Sequence, residues 1–219
     1  MNHYTLQNLT EMPSRHRANL INSCTGYKSC NLIATKGKNQ ITNVAIFNSI
    51  VHIGSNPPML GFILRPTTVP RNTYRNLKES GFFTVNQVQQ DIIADAHHTS
   101  AKYDESISEF DKTNLDPVYL DNFYAPYVKD SPIQLGCKYV NEYFIKENDT
   151  ILIIGAIEHI YLNEDIIHPD GWVQLDKAKT VSCIGLDGYA LPKLLERFQY
   201  AKPDQETKSL HIEPKNKDS

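Results

Sequence analysis

Ile41-Thr42-Asn43-Val44-Ala45-Ile46-Phe47-Asn48-Ser49 opens the stretch that decides the fold, and Pro57-Pro58 then leads into Met59-Leu60-Gly61-Phe62-Ile63-Leu64. The second run ends in Arg65-Pro66-Thr67-Thr68-Val69-Pro70-Arg71-Asn72-Thr73. Both apolar runs read as strands over 41–53 and 58–64, bounded by Asn, Ser and Pro. A short helix is expected over Tyr74–Ser80, and a further strand begins at Gly81-Phe82-Phe83-Thr84-Val85-Asn86. Arg65 and Arg71 stand beside Thr68 and Thr73 at a strand end and a helix start. An arginine fork binds two oxygens of a phosphate, hydroxyls add donors, and a helix N-terminus offers free N–H groups. The stretch therefore reads as an anion cradle. Asn72 or Thr73 can equally serve as a helix cap.

Outward from this stretch, strands are expected at 29–35 and 82–88, and short helices at Asp91–His98 and Ser106–Phe110. Pro117 and Pro126 mark 114–130 as an ordered loop. From Ile133 to Ile145 the odd positions are mostly apolar, while Gln134, Lys138 and Glu142 fall between them, the pattern of a half-buried strand. Glu147-Asn148-Asp149 turns the chain into a second long strand, Ile151–Leu162. Antiparallel hairpins with few helices point to a barrel and not to a doubly wound sheet. The expected organisation is one domain over 1–219, with an N-terminal arm at 1–22 and a polar tail at 201–219.

With 219 residues, 40% hydrophobic and 21% charged, the chain can bury a core of its own. The net charge of −3 argues against a nucleic-acid surface. No apolar run approaches the length of a membrane span, and Met1–Leu6 has no signal-peptide character. Cys24, Cys30, Cys137 and Cys183 form no CxxC pair, so reduced thiols in a cytoplasmic protein are expected. Adjacent His97 and His98 point about 100° apart on a helix and make no metal site. There is no GxGxxG, GxxxxGK[ST] or GxSxG motif.

The order of these pieces resembles the flavin reductase-like family, flavoredoxins included, over about residues 22–200. Asn43-Val44-Ala45 with Pro57-Pro58 is similar to the family's Asn-Val-Ala run and Pro-Pro strand start. Arg71-Asn72-Thr73 with Asn76 stands where members carry Lys-Asp-Thr and a following Asn. Gly81–Asn86, Ser100 in His97–Ala101, Ser131-Pro132 and the Gly-rich run Cys183–Tyr189 are similar to further motifs in sequence order.

The resemblance implies a mainly β fold, a six-stranded antiparallel split barrel with peripheral helices, binding FMN in a homodimer. Implied cofactor residues are Asn43, Val44, Ala45, Asn48, Ser49, Arg65, Thr68, Arg71, Asn72, Thr73 and Ser100, with 183–189 near the partner's flavin. No side chain is required as a catalytic acid or base. The implied activity is flavin-dependent oxidoreduction, with NAD(P)H or a redox protein as partner and no nucleic acid or membrane. The alternatives are a flavin-binding sensor or store without turnover and, more distantly, a heme-binding split barrel. One departure bears on the reductant. Asp149 takes the place of a histidine that seats the nicotinamide in related reductases, and an acid there disfavours a phosphorylated dinucleotide.

Overall fold

The computed structural model describes residues 1–210. Its helices are α1 (Leu6–Glu11), α2 (Ser14–Cys24), α3 (Asn72–Ser80) and α4 (Ile93–His98). The strands are β1 (Lys28–Ser29), β2 (Asn31–Lys36), β3 (Thr42–Phe47), β4 (Val51–Ser55), β5 (Pro58–Leu64) and β6 (Phe82–Gln87). They continue with β7 (Pro117–Val118), β8 (Tyr127–Val128), β9 (Ile133–Ile145), β10 (Thr150–Leu162), β11 (Ser182–Ile184) and β12 (Gly188–Ala190).

A mainly β architecture built on one large antiparallel sheet results, in the order β3-β2-β6-β9-β10-β5-β4. It has seven strands where six were expected, because the run read as one strand over 41–53 divides. β3 pairs with β2, and β4 pairs with β5 at the opposite end of the strand order. Ser49 lies between them. Its Oγ donates to the Ile63 carbonyl at 3.1 Å and accepts from the Ile63 N–H at 3.2 Å. Ser49 continues the Val51↔Gly61 register, with a hydroxyl in place of the backbone pair. The stretch 42–55 thereby joins the two edges of the sheet. The β9–β10 hairpin carries register shifts at Ile154/Gly155 and Ile157/His159, and bulges of this kind bend paired strands.

Two large apolar clusters fill the fold, with smaller ones around Phe123 and Ile166. β2 is buried on both faces, and its alternation divides it between them. Ile33 points into a cluster with Leu60, Phe62, Leu64, Leu77, Phe83, Val85, Cys137, Ile151 and Ile153. Leu32 and Ala34 point into a second with Cys30, Val44, Val88, Ala96, Phe110, Val181 and Cys183. Phe62 links the first cluster edge-to-face, with ring centroids 5.3 Å from Phe47 and 5.5 Å from Phe83.

Asn86 crosses the sheet and serves its scaffold. Its amide donates to the Leu32 carbonyl and to Thr84 Oγ1, and its oxygen accepts from the Val128 N–H at 3.0 Å. These bonds, with Thr84 Oγ1 on the Pro126 carbonyl, pin the 114–130 segment to the barrel. That segment carries its own small ladder of β7 and β8. The helix expected at Ser106–Phe110 is instead a 3-10 turn over Glu109–Lys112. Among the described residues no helix is long and apolar enough to cross a membrane. The expected tail over 201–219 lies partly outside the described residues. Within its described part, Leu210 N–H donates to the Arg197 carbonyl.

Candidate functional site

α3 follows from local sequence. Thr73, Asn76 and Leu77 recur at helical spacing and bury one face, and Gly81 ends the helix at φ +76 with its N–H on the Leu77 carbonyl. The helix begins at Asn72, two residues before the expected start, with Arg71 as the capping position. No side chain caps that end, so its first-turn N–H groups remain available to a ligand. Asn76 is committed to the scaffold through its amide on Thr35 Oγ1 at 3.2 Å.

The α3 N-terminus opens into a cavity of about 620 Å³, within the range of small-molecule sites. Of the residues proposed from sequence, Asn43, Ala45, Asn48, Ser49, Arg65, Arg71, Asn72, Thr73 and Ser100 line it. Val44 and Thr68 stand outside the lining. Alternation along β3 turns the Val44 side chain into the core, with no exposure, while Thr68 is exposed on the 66–70 turn.

Several of these groups also hold one another. Asn43 donates its amide to Thr73 Oγ1 at 3.0 Å, and the Thr73 hydroxyl proton has no acceptor among the described residues. Asn48 donates to the Gly185 carbonyl at 3.4 Å. Arg71 reaches the Pro66 carbonyl through Nε and Nη2, both at 3.4 Å, and so braces the turn it shares. An uncapped helix end, a buried free hydroxyl proton and two arginines form a donor set that fits a phosphate.

The rest of the lining comes from segments far apart in the chain, and two of the motifs, His97–Ala101 and Cys183–Tyr189, fall within it. His97, Lys102, Tyr103 and Glu109 come from the 97–109 segment, and Cys183, Leu186 and Tyr189 from the β11–β12 hairpin. The resemblance placed 183–189 by a partner's flavin. Of these, Cys183, Leu186, Gly188 and Tyr189 line the cavity of their own chain. His97 Nδ1 and the Tyr189 hydroxyl are 2.7 Å apart, tying α4 to the hairpin. Glu109 is buried and accepts the Val44 N–H at 3.0 Å. Burial pushes its carboxyl above the ordinary value, against the backbone bonds that pull it down.

Asp149 does not line the cavity. It sits exposed in the β9–β10 turn at φ +58. The Ile151↔Leu64 register brings that turn to the same end of the sheet as Arg65. Among the described residues no group of His, Cys, Asp or Glu is arranged to hold a metal.

Comparisons with known proteins bear on the fold and the family. The model of the flavin reductase like domain family matches residues 25–175. A split-barrel protein from Shewanella frigidimarina NCIMB 400, assigned as a flavin reductase, is 39% identical with a TM-score of 0.89, covering 92% of this chain and 100% of its own. Nitrilotriacetate monooxygenase component B from Bacillus cereus is 22% identical with a TM-score of 0.78, covering 91% of this chain and 100% of its own. The flavoredoxin of Desulfovibrio vulgaris (Miyazaki F) is 22% identical with a TM-score of 0.67, covering 78% of this chain and 90% of its own. The last two share the fold. The family match and the Shewanella protein support a flavin-related redox role. Matched over most of its length and sharing the split barrel, the chain belongs to the flavin reductase-like family.

Proposed function

We propose that this chain is an FMN-dependent oxidoreductase, a flavin reductase or a flavoredoxin-like electron carrier, working as a cytoplasmic homodimer of one-domain subunits. The observation that carries this reading is the uncapped N-terminus of α3, which opens beside Arg71 into a cavity that Arg65 also lines. In this reading the α3 N–H groups, Arg65, Arg71 and Thr73 hold the phosphate. Asn43, Ala45, Asn48, Ser49 and Ser100 serve the ribityl chain or the ring edge. FMN supplies the hydride and electron chemistry when bound, and the protein supplies orientation and the choice of reductant.

The dimer reading is supported by apolar side chains left exposed on the strands, among them Val51 and Ile53 on β4 and Val140 and Phe144 on β9. If the flavin lies against both subunits, binding and assembly are linked. Diluting the apo-protein is expected to yield monomer more readily than diluting the FMN-bound protein. A monomer with undiminished FMN affinity in sedimentation would rule out that linkage.

Anaerobic mixing with NADH or NADPH tests the activity. Slow bleaching of the bound flavin is expected, because Asp149 presents a negative charge where related reductases carry histidine. Asp149→His should speed bleaching through a several-fold lower KM, since the change acts on nucleotide binding and not on hydride transfer. Histidine is also one of the residues tolerated at positive φ, so the turn accepts it. Fast bleaching by the wild-type protein, unchanged in Asp149→His, would show that this turn does not choose the reductant.

A further inference from the structure

The hairpin wall contains a feature that phosphate and ring binding do not use. Cys183 lies on β11 directly across from Lys28 on β1, and Cys30 follows Lys28 by two residues. Cys183 lines the cavity at 6% exposure, and Cys30 lies behind it at 2% in the same apolar cluster. The ring of Tyr189, held at the cavity by His97, packs against that cluster. The other two cysteines are placed differently: Cys24 is exposed on α2 and Cys137 sits in the other cluster.

The two thiols are unequal. The neighbouring Cys30 thiol pulls the Cys183 thiol below its ordinary value, and the Lys28 ammonium adds to this against burial. The neighbouring Cys183 and burial push Cys30 the other way. A thiol facing a cavity with a second thiol in the cluster beside it is the arrangement that thiol–disulfide chemistry uses. β1 and β11 are only two and three residues long, so few ladder bonds resist a small adjustment between them.

We propose that Cys30 and Cys183 form a redox-active dithiol in the cavity wall, a second two-electron centre that exchanges electrons with flavin held in the cavity. The exchange rests on the FMN reading above, whereas formation of the disulfide does not. In the oxidising direction both thiols lose their protons and one bond forms between the two Sγ atoms. The two electrons and two protons pass to oxidised flavin, which becomes dihydroflavin. In the reverse direction dihydroflavin returns two electrons and two protons, the S–S bond breaks and both thiols are restored.

The test uses the full chain carrying Cys24→Ser, which removes the exposed thiol. The apo-protein is oxidised with diamide and digested without reductant for peptide mass spectrometry. A peptide pair joined through Cys30 and Cys183, lighter by two hydrogens, is expected. The oxidised protein is then mixed anaerobically with dihydro-FMN. Oxidised-flavin absorbance should return as two thiols per chain reappear. Separate alkylation of Cys30 and Cys183 after diamide would overturn the dithiol. A cross-linked protein that binds FMN but keeps its disulfide against dihydro-FMN would overturn the electron exchange. A protein that cross-links but binds no FMN in either its thiol or its disulfide form would support the dithiol and overturn the flavin reading instead.

Discussion

Phe62→Ala is expected to cost about 3–5 kcal/mol of stability, the range for truncating a fully buried phenylalanine. Phe62 has no exposure and is held edge-to-face by Phe47 and Phe83. β5 cannot collapse into the space left, because its ladder to β10 fixes Phe62 opposite Ile153. For a chain of this size the loss corresponds to a melting temperature lower by about 6–20 °C. Phe47 also lines the cavity, so the truncation softens the wall of the site as well as the core. Thermal denaturation of the apo-protein checks this. A variant within about 1 kcal/mol of wild type, outside the range for such truncations, would mean the ring stack is not what holds the barrel closed.

Arg71→Ala should weaken FMN by about 1.5–3 kcal/mol, the worth of a hydrogen bond to a charged group, or roughly 10- to 150-fold in Kd. The guanidinium carries charge into the cavity and also donates to the Pro66 carbonyl, so its removal both takes away a phosphate partner and loosens the turn. Riboflavin has no phosphate and should bind nearly alike to both proteins. That contrast separates the two contributions, because a loosened turn would weaken both ligands. Parallel titrations followed by flavin fluorescence give the answer, and equal losses for FMN and riboflavin would remove Arg71 from the phosphate site.

Much of the barrel is written in strand alternation. The 133–145 run emerges as β9 because a long half-buried strand leaves a strong period-two signal, and 151–162 emerges as β10 from a long apolar run that follows the turn at 147–149. The division of 41–53 is not written that way. It depends on the Ser49 hydroxyl replacing a ladder pair, which follows from the tertiary position of Ile63 and not from any local pattern. β1, β11 and β12 are two or three residues long and carry no readable period.

The cavity shows the same split. Its first wall, from Asn43 to Ser49 and from Arg65 to Thr73, is nearly contiguous in sequence and carries the family's motifs. The second wall brings His97 and Glu109 together with Cys183 and Tyr189, far apart in the chain. Only the His97–Ala101 motif and the Gly-rich run around Cys183 signal it, and the buried carboxyl of Glu109 has no marker of its own. Val44 shows how a motif overreaches: it belongs to the Asn-Val-Ala run, yet the strand turns its side chain into the core.

A crystal structure grown with saturating FMN tests the central claim most directly. The account predicts the phosphate within hydrogen-bond reach of the first-turn N–H groups of α3 and of the Arg71 guanidinium, with the ring system inside the cavity. A flavin bound elsewhere on the chain, or an empty cavity at saturating FMN, would contradict it.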